Sequence, residues 1–442
     1  MRMNQKKNEN LAGETTHEGA PVRRITKEQT LRRTVMACML WEKTFYEDGV
    51  SIADRIFDLA SECSPEFVRQ LAKEARTDYK LRHAPLMLLL ALIKKGGVEA
   101  EEAIFETIGR PDEINELVAL YWTREGAGKP LSAAMKRGLA RAFNKFDGYA
   151  LNKWDKPGVV KLRDVMFLVH PKPKDEEQAA VFKQLADQTF TPPDTWESRL
   201  TGGQDKKETF TDLLKRGRLG YMALLRNLRG MTDANVDEAL IKQAIVARKG
   251  ANVVLPFRFI AAAKYAPQFE SELDTAMQEA MKEMEALPGK TAVLVDVSGS
   301  MSMALSGKSQ MTYLDAAIGL SIMVSGVGGS LDVYAFGTQV KQVATRKGMA
   351  QADSIRSAKV GHGTNMGMAV KFAQSKGKYD RIIVISDMQS WDALPNPGKD
   401  TKGYMINVAS YEHGVGYGPW TNIDGFSEST IRFIQEIEKG DG

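Results

Sequence analysis

Between positions 26 and about 287, apolar residues recur at helical spacing and polar ones fill the positions between them. In 111–122, Ile114, Leu117, Val118 and Tyr121 fall on one helical face. The run Leu86–Ile93 is apolar on every side, which predicts a helix enclosed by others. Ser51 with Asp54 predicts a capping box ahead of Ile52, Ile56 and Leu59. Ser64-Pro65-Glu66 predicts a second start, with proline at the first helical position. No strand-like alternation interrupts this stretch. Short helices of roughly 12 to 18 residues without a strand between them predict an all-α region of about 260 residues, a solenoid or bundle. No strict period is visible, so any repeats are degenerate.

The pattern changes after Leu287-Pro288-Gly289. Four apolar runs, Thr291–Val295, Leu331–Phe336, Arg381–Ser386 and Gly403–Ala409, read as strands separated by helical segments. One such helix opens at Thr312 with Asp315 three residues on; another lies near Asn365–Gln374. Strands alternating with helices predict a doubly wound parallel α/β domain. Ser429–Glu438 reads as a closing helix with Ile431, Ile434 and Ile437 inward. The first 25 or so residues are polar and aperiodic, an arm that is disordered or ordered only by docking. The expected organisation is therefore an α + α/β multidomain chain: an arm (1–25), a helical domain (26–287) and an α/β domain (288–442).

Composition changes this picture little. The 43% hydrophobic and 26% charged fractions are ordinary for a globular protein. A net charge of +4 permits nucleic-acid binding without arguing for it, so any such affinity must come from local clusters of Lys and Arg. No signal peptide is expected from the polar start, and the longest apolar run is too short for a bilayer. Cys38 and Cys63 are the only cysteines, which excludes a disulfide framework and a cysteine-based zinc site. A reducing, cytoplasmic setting is expected.

The densest local chemistry is Asp296-Val297-Ser298-Gly299-Ser300, directly after the first strand. In an open α/β sheet, ligands bind beyond the carboxyl ends of strands. One carboxylate and two hydroxyls share that loop, with Gly299 allowing the turn. Asp387 follows another strand in the same way, and Thr364 lies in the Gly-rich loop 361–365. Asp296, Ser298, Ser300, Thr364 and Asp387 are all hard oxygen donors, suited to Mg²⁺, Mn²⁺ or Ca²⁺ and not to zinc. His362 neighbours Thr364 and reads as incidental. This arrangement resembles the metal-ion-dependent adhesion site of von Willebrand A domains, which implies ligand roles for those five residues and one bound divalent cation, Mg²⁺ first.

In the helical half, Lys145, Lys153, Lys156, Lys161, Arg163, Lys172 and Lys174 alternate with Phe143, Phe146, Tyr149, Trp154 and His170. Cations for phosphates beside aromatic faces for bases are what single-stranded RNA requires. A second cluster, Lys206, Lys207, Lys215, Arg216 and Arg218, suits tracking of a backbone. Arg226 and Arg229, flanked by leucines, read as buried structural arginines. The bland alternative is that the cations are solvated helix faces and the aromatics are core.

Four blocks, Leu40–Gly49, Lys145–Lys174, Gly220–Met231 and Leu255–Ala262, resemble the TROVE module of Ro ribonucleoproteins. With the α/β domain, the resemblance covers nearly all of the chain after residue 25. It implies a ring of HEAT-like helical repeats joined to a von Willebrand A domain. It also implies binding of single-stranded 3′ ends of misfolded noncoding RNA and of small Y-like RNA. Lys153, Lys161, Arg163, His170 and Lys172 are the contacts it favours, with Lys174, Arg216 and Arg218 from the basic clusters. The chain is shorter than animal members and resembles bacterial or phage relatives, which implies a monomer working with an exoribonuclease such as polynucleotide phosphorylase.

No HExxH, GxSxG or GxxxxGK[ST] motif appears, and the five histidines have no paired ligand spacing. An enzyme is therefore not expected. The alternative function is a metal-dependent protein scaffold without RNA, and a third is a metal-dependent nuclease.

Overall fold

A computed structural model describes residues 15–16, 19–20, 25–36, 49–156, 158–191, 193–251, 254, 256–282, 284, 286–305, 310–425 and 429–440. Residues 40–48 of the first TROVE-like block, Cys38 and most of the polar arm lie outside them.

The helical stretch begins with α1 (Lys27–Met36), α2 (Gly49–Glu62), α3 (Pro65–Thr77), α4 (Ala84–Lys95), α5 (Val98–Thr107) and α6 (Asp112–Glu125). It continues with α7 (Ala133–Phe143), α8 (Gly148–Trp154), α9 (Leu162–Val169), α10 (Glu176–Asp187) and α11 (Trp196–Thr201). These helices, through Ser198, form one unit around their own core. Local signals set several ends. Ser64 caps α3 by accepting from Phe67 N at 3.3 Å. Residues 84–93 of α4 are all buried, as an apolar run on every side requires. Ile114, Leu117, Val118 and Tyr121 form the buried face of α6. The expected box at Ser51 is not a start: α2 begins at Gly49, so Ser51 lies inside its first turn.

Helices α3, α5, α7 and α9 stack side by side, with α4 and α6 packed behind them, the two-layer arrangement of helical repeats. Cations on one helix meet carboxylates on the next. Arg32 of α1 pairs with Glu74 of α3, Arg69 of α3 with Glu106 of α5 at 3.0 Å, and Arg141 of α7 with Glu102 of α5 at 2.5 Å. Gly138 of α7 permits close approach, since a Cβ there would lie 2.9 Å from Ile104 Cβ of α5.

A second unit runs from Arg199 onward and includes the described residues 15–16, 19–20 and 25–26. It opens with α12 (Lys206–Lys215), α13 (Tyr221–Asp233), α14 (Glu238–Ala247), α15 (Pro256–Tyr265) and α16 (Glu270–Met281). A six-stranded sheet follows: β1 (Leu287–Asp296), β2 (Gly328–Phe336), β3 (Val340–Val343), β4 (Arg381–Ser386), β5 (Lys402–Asn407) and β6 (Thr421–Asp424). Its order is β3-β2-β1-β4-β5-β6, all parallel except β3. Helices α17 (Tyr313–Val327), α18 (Ala350–Arg356), α19 (Met366–Lys376) and α20 (Ser429–Gly440) complete the α/β portion. The four expected strands and the three expected helices are present. Strands β3 and β6, four residues each, and α18 are additions.

Thr312 and Asp315 form the expected capping box of α17. Ile431 and Ile434 of α20 are buried, while Ile437 is half-buried. Arg381, buried at the start of β4, holds Glu438 of α20 with two contacts of 2.8 and 2.6 Å. Among the described residues, no helix is long and apolar enough to cross a membrane.

Candidate metal centre and nucleic-acid surface

Crossovers run from β1 outward through β2 on one side and from β4 through β5 on the other, so the switch point lies between β1 and β4. Asp296 is the last residue of β1, and Asp387 follows the last residue of β4. The sheet thus delivers both carboxylates to the place where such folds bind ligands. Asp296 Oδ1 accepts from Ser298 N at 2.8 Å and Oδ2 accepts from Ser386 Oγ at 2.5 Å. The Ser298 and Ser300 hydroxyls lie 3.3 Å apart. Gly299 N donates to His362 O at 2.8 Å, which draws this loop against the one carrying Thr364. Trp391 N donates to Thr364 O at 2.9 Å, tying that loop to the segment after β4.

All five sequence-predicted ligands are buried, none more than 5% exposed. Burial pushes the Asp296 carboxyl well above its usual range, and the nearby charge of Asp387 pushes it further. Among the described residues no Lys or Arg pairs with Asp296. Two buried carboxylates that repel each other, on loops that also carry Ser298, Ser300 and Thr364, suit a hard divalent cation. No three His, Cys, Asp or Glu side chains converge among the described residues. Ser386 is a residue the sequence reading missed; its position as the last residue of a parallel strand was the available signal.

The cations proposed for RNA lie in two places. In the first unit, Lys153 stands 5.8 Å from the Tyr149 ring and 5.7 Å from that of Trp154. Lys156 lies 5.3 Å from Trp154, and the Arg110 guanidinium stacks on it at 3.6 Å. Lys161 precedes α9 and is exposed; Arg163 lies 6.0 Å from Phe167. His170 ends α9 in the left-handed conformation, exposed, with φ of 48°. Lys172 and Lys174 follow, both exposed. Tyr149 and Phe167 are 57% and 50% exposed, although Leu162, Val165, Met166 and Val169 turn the apolar face of α9 inward. Phe167, on the polar face four residues after Arg163, was missed; that spacing could have found it.

Other candidates are structural. Phe143 is buried edge-on against Phe182 at 6.2 Å. Lys145 donates to Phe105 O at 2.7 Å and to Ile108 O, and burial lowers its pKa. Its ammonium is committed to the carbonyls at the carboxyl end of α5, although the residue as a whole is exposed. In the second unit, Arg216 and Arg218 are exposed at the end of α12, and Arg216 pairs with Asp212 at 2.9 Å. Arg226 and Arg229 are exposed, contrary to the sequence expectation. Leucines at 224, 225 and 228 take the buried face of α13, which leaves both arginines on the opposite side.

Fold and site together define a helical-repeat chain with a von Willebrand A-type domain. Residues 189–321 match the TROVE domain family. The structure is similar to that of the Ro (RSR) protein of Deinococcus radiodurans, with a TM-score of 0.61 and 16% identity over 94% of this chain and 100% of that one. The chain shares the fold of that Ro protein, and the segment that matches the TROVE family runs through β1, the Asp296 loop and into α17. None of the curated proteins matches it.

Proposed function

We propose that the chain binds single-stranded RNA in the manner of Ro proteins and acts without catalysing a reaction on it. The observation that carries this reading is the pairing of exposed rings with cations on α8 and on α9. Half-exposed Tyr149 stands beside Lys153 and half-exposed Phe167 beside Arg163, with Lys161 exposed just before α9. Exposing large rings to water is unfavourable unless something covers them, and bases stack on such faces while cations meet phosphates. The TROVE match and the Ro fold support the same reading.

The finer reading is that single-stranded 3′ ends of misfolded noncoding RNA are the targets and that a Y-like RNA also binds. The complex would then serve RNA quality control or hold substrate for an exoribonuclease such as polynucleotide phosphorylase. Asp296, Ser298, Ser300, Thr364 and Asp387 would hold one Mg²⁺, which neutralises the two carboxylates and leaves an electropositive position for an anionic group. A 4-thiouridine-bearing single strand tests the surface directly. Photocrosslinks are expected in peptides spanning 148–174, and crosslinks confined to the α/β portion would contradict it.

A second reading is favoured by one residue. Trp391, 48% exposed, stands beside the Thr364 loop, where an acidic protein partner would bind through the metal. It predicts protein capture that EDTA abolishes and no requirement for nucleic acid.

A further inference from the structure

Residues 15–20 precede the helical region by sequence, yet Thr16 and Ala20 are buried, and the contacts that bury them lie on the segment after β4. Thr16 and Ala20 close a tight turn: Thr16 N donates to Ala20 O at 2.9 Å, and Ala20 N lies 3.1 Å from Thr16 Oγ1. Gly19 allows that turn with φ of 93°, a value costly for any side chain. Both ends of the turn then converge on one atom. Thr16 Oγ1 donates to the carbonyl of Ser390 at 2.8 Å, and Ala20 N donates to the same oxygen at 3.0 Å. The Ala20 methyl joins the core formed by Met366, Met388, Val415 and Trp420.

Ser390 is the node between this turn and the candidate ligands. Its hydroxyl contacts Thr364 O at 3.2 Å and Asp392 Oδ1 at 2.9 Å. Asp392 in turn accepts from Gly367 N at 2.8 Å and Met368 N at 2.7 Å, which fixes the start of α19 directly after Thr364. On its other side, Ser390 is three residues from Asp387. The intervening Met388 has φ of 60°, a left-handed conformation that a non-glycine residue keeps only when its surroundings impose it. The Asp387 loop is therefore held against local strain, and two of the hydrogen bonds holding it come from the N-terminal turn.

We infer that the turn at Thr16–Ala20 is a clasp that positions Asp387 and Thr364 for the cation, with Thr16 as its positioning residue. The clasp touches neither metal nor ligand; it acts through Ser390. It makes cation affinity depend on whether the N-terminal segment is seated, so an event that pulls this segment away lowers affinity at the sheet. The inference rests on the metal reading above.

The test is Mn²⁺ binding to the full-length chain, followed by calorimetry and by loss of the free-ion EPR signal, with melting temperature recorded in parallel. Thr16→Val keeps the shape of the side chain and removes its donor. It is expected to weaken Mn²⁺ binding about tenfold, as loss of a buried hydrogen bond would. Thr16→Ser restores the hydroxyl and is expected to bind within about twofold of the wild type. Gly19→Ala, where the added Cβ meets nothing within 4 Å, strains only the turn and should weaken binding in the same direction. It decides the matter if Thr16→Val does not fold. Wild-type affinity in folded Thr16→Val and Gly19→Ala chains would overturn the clasp. A wild-type chain that binds no Mn²⁺ would instead overturn the metal reading on which it rests.

Discussion

Lys264 of α15 and Asp315 of α17 meet at 2.9 Å, and this contact fastens the last helices before the sheet to the first helix after β1. Arg356 of α18 reaches the other oxygen of the same carboxylate at 2.7 Å, and Thr312 N donates at 2.8 Å to the oxygen that Lys264 meets. Burial alone would raise the Asp315 pKa, yet Lys264, Thr312 N and Arg356 together hold it below the usual carboxylate range. Both partners of the Lys264–Asp315 pair fall within the TROVE match.

Asp315→Asn should therefore destabilise the chain by about 2 kcal/mol at neutral pH, since it leaves two cations facing a neutral amide. A carboxyl held low when folded stabilises above its unfolded pKa of about 4 and loses that contribution as pH falls through the lower folded value. Urea unfolding at pH 7 and pH 3 should show a gap between wild type and variant that narrows in acid.

The Thr312–Asp315 box was legible because a cap is written within four residues, and so was the Ser64-Pro65 start. Ser51 misled because its local pattern is the same, while the helix that contains it starts two residues earlier. Asp296 and Asp387 could be aligned from sequence because parallel strands deliver their carboxyl ends to one edge. The exposure of the arginines at 226 and 229 and the docking of Lys145 on α5 could not, because which face of a helix is covered depends on partners distant in the chain. The short edge strands β3 and β6 carry too few residues for a period, and the seat of Thr16 on Ser390 spans 374 positions.

A second prediction concerns Gly363. A Cβ added there would fall 2.2 Å from Cη2 of Trp391, so Gly363→Ala must move the indole. With Trp391→Phe as the subtraction background, acrylamide quenching of the Trp391 component should increase. Unchanged quenching would show that the ring does not rest on this glycine.

Metal binding should appear as stability. Millimolar Mg²⁺ or Mn²⁺ is expected to raise the melting temperature of the wild type, because a cation that binds only the folded state stabilises it. Asp387→Ala should abolish the increase. EDTA should return the loaded wild type to its metal-free melting temperature.

On the proposed RNA surface, cations and rings should fail differently. Arg163→Ala is expected to weaken RNA binding and to reduce the slope of log affinity against log salt by about 0.7, one phosphate contact to a single strand. Tyr149→Ala and Phe167→Ala should each cost about 1–3 kcal/mol with the slope unchanged, since stacking releases no counterions. Lys145→Ala should instead lower thermal stability, because its ammonium binds the carbonyls that end α5.

The most direct measurement is a titration of the nuclease-treated chain against one structured RNA with a single-stranded 3′ tail and against the same RNA with a blunt end, at several salt concentrations. The account predicts tight binding that requires the tail, weakens steeply with salt and leaves the RNA full length on a gel. Equal, weak binding to both RNAs would contradict the single-strand reading, and shortened RNA would contradict a binding role without catalysis.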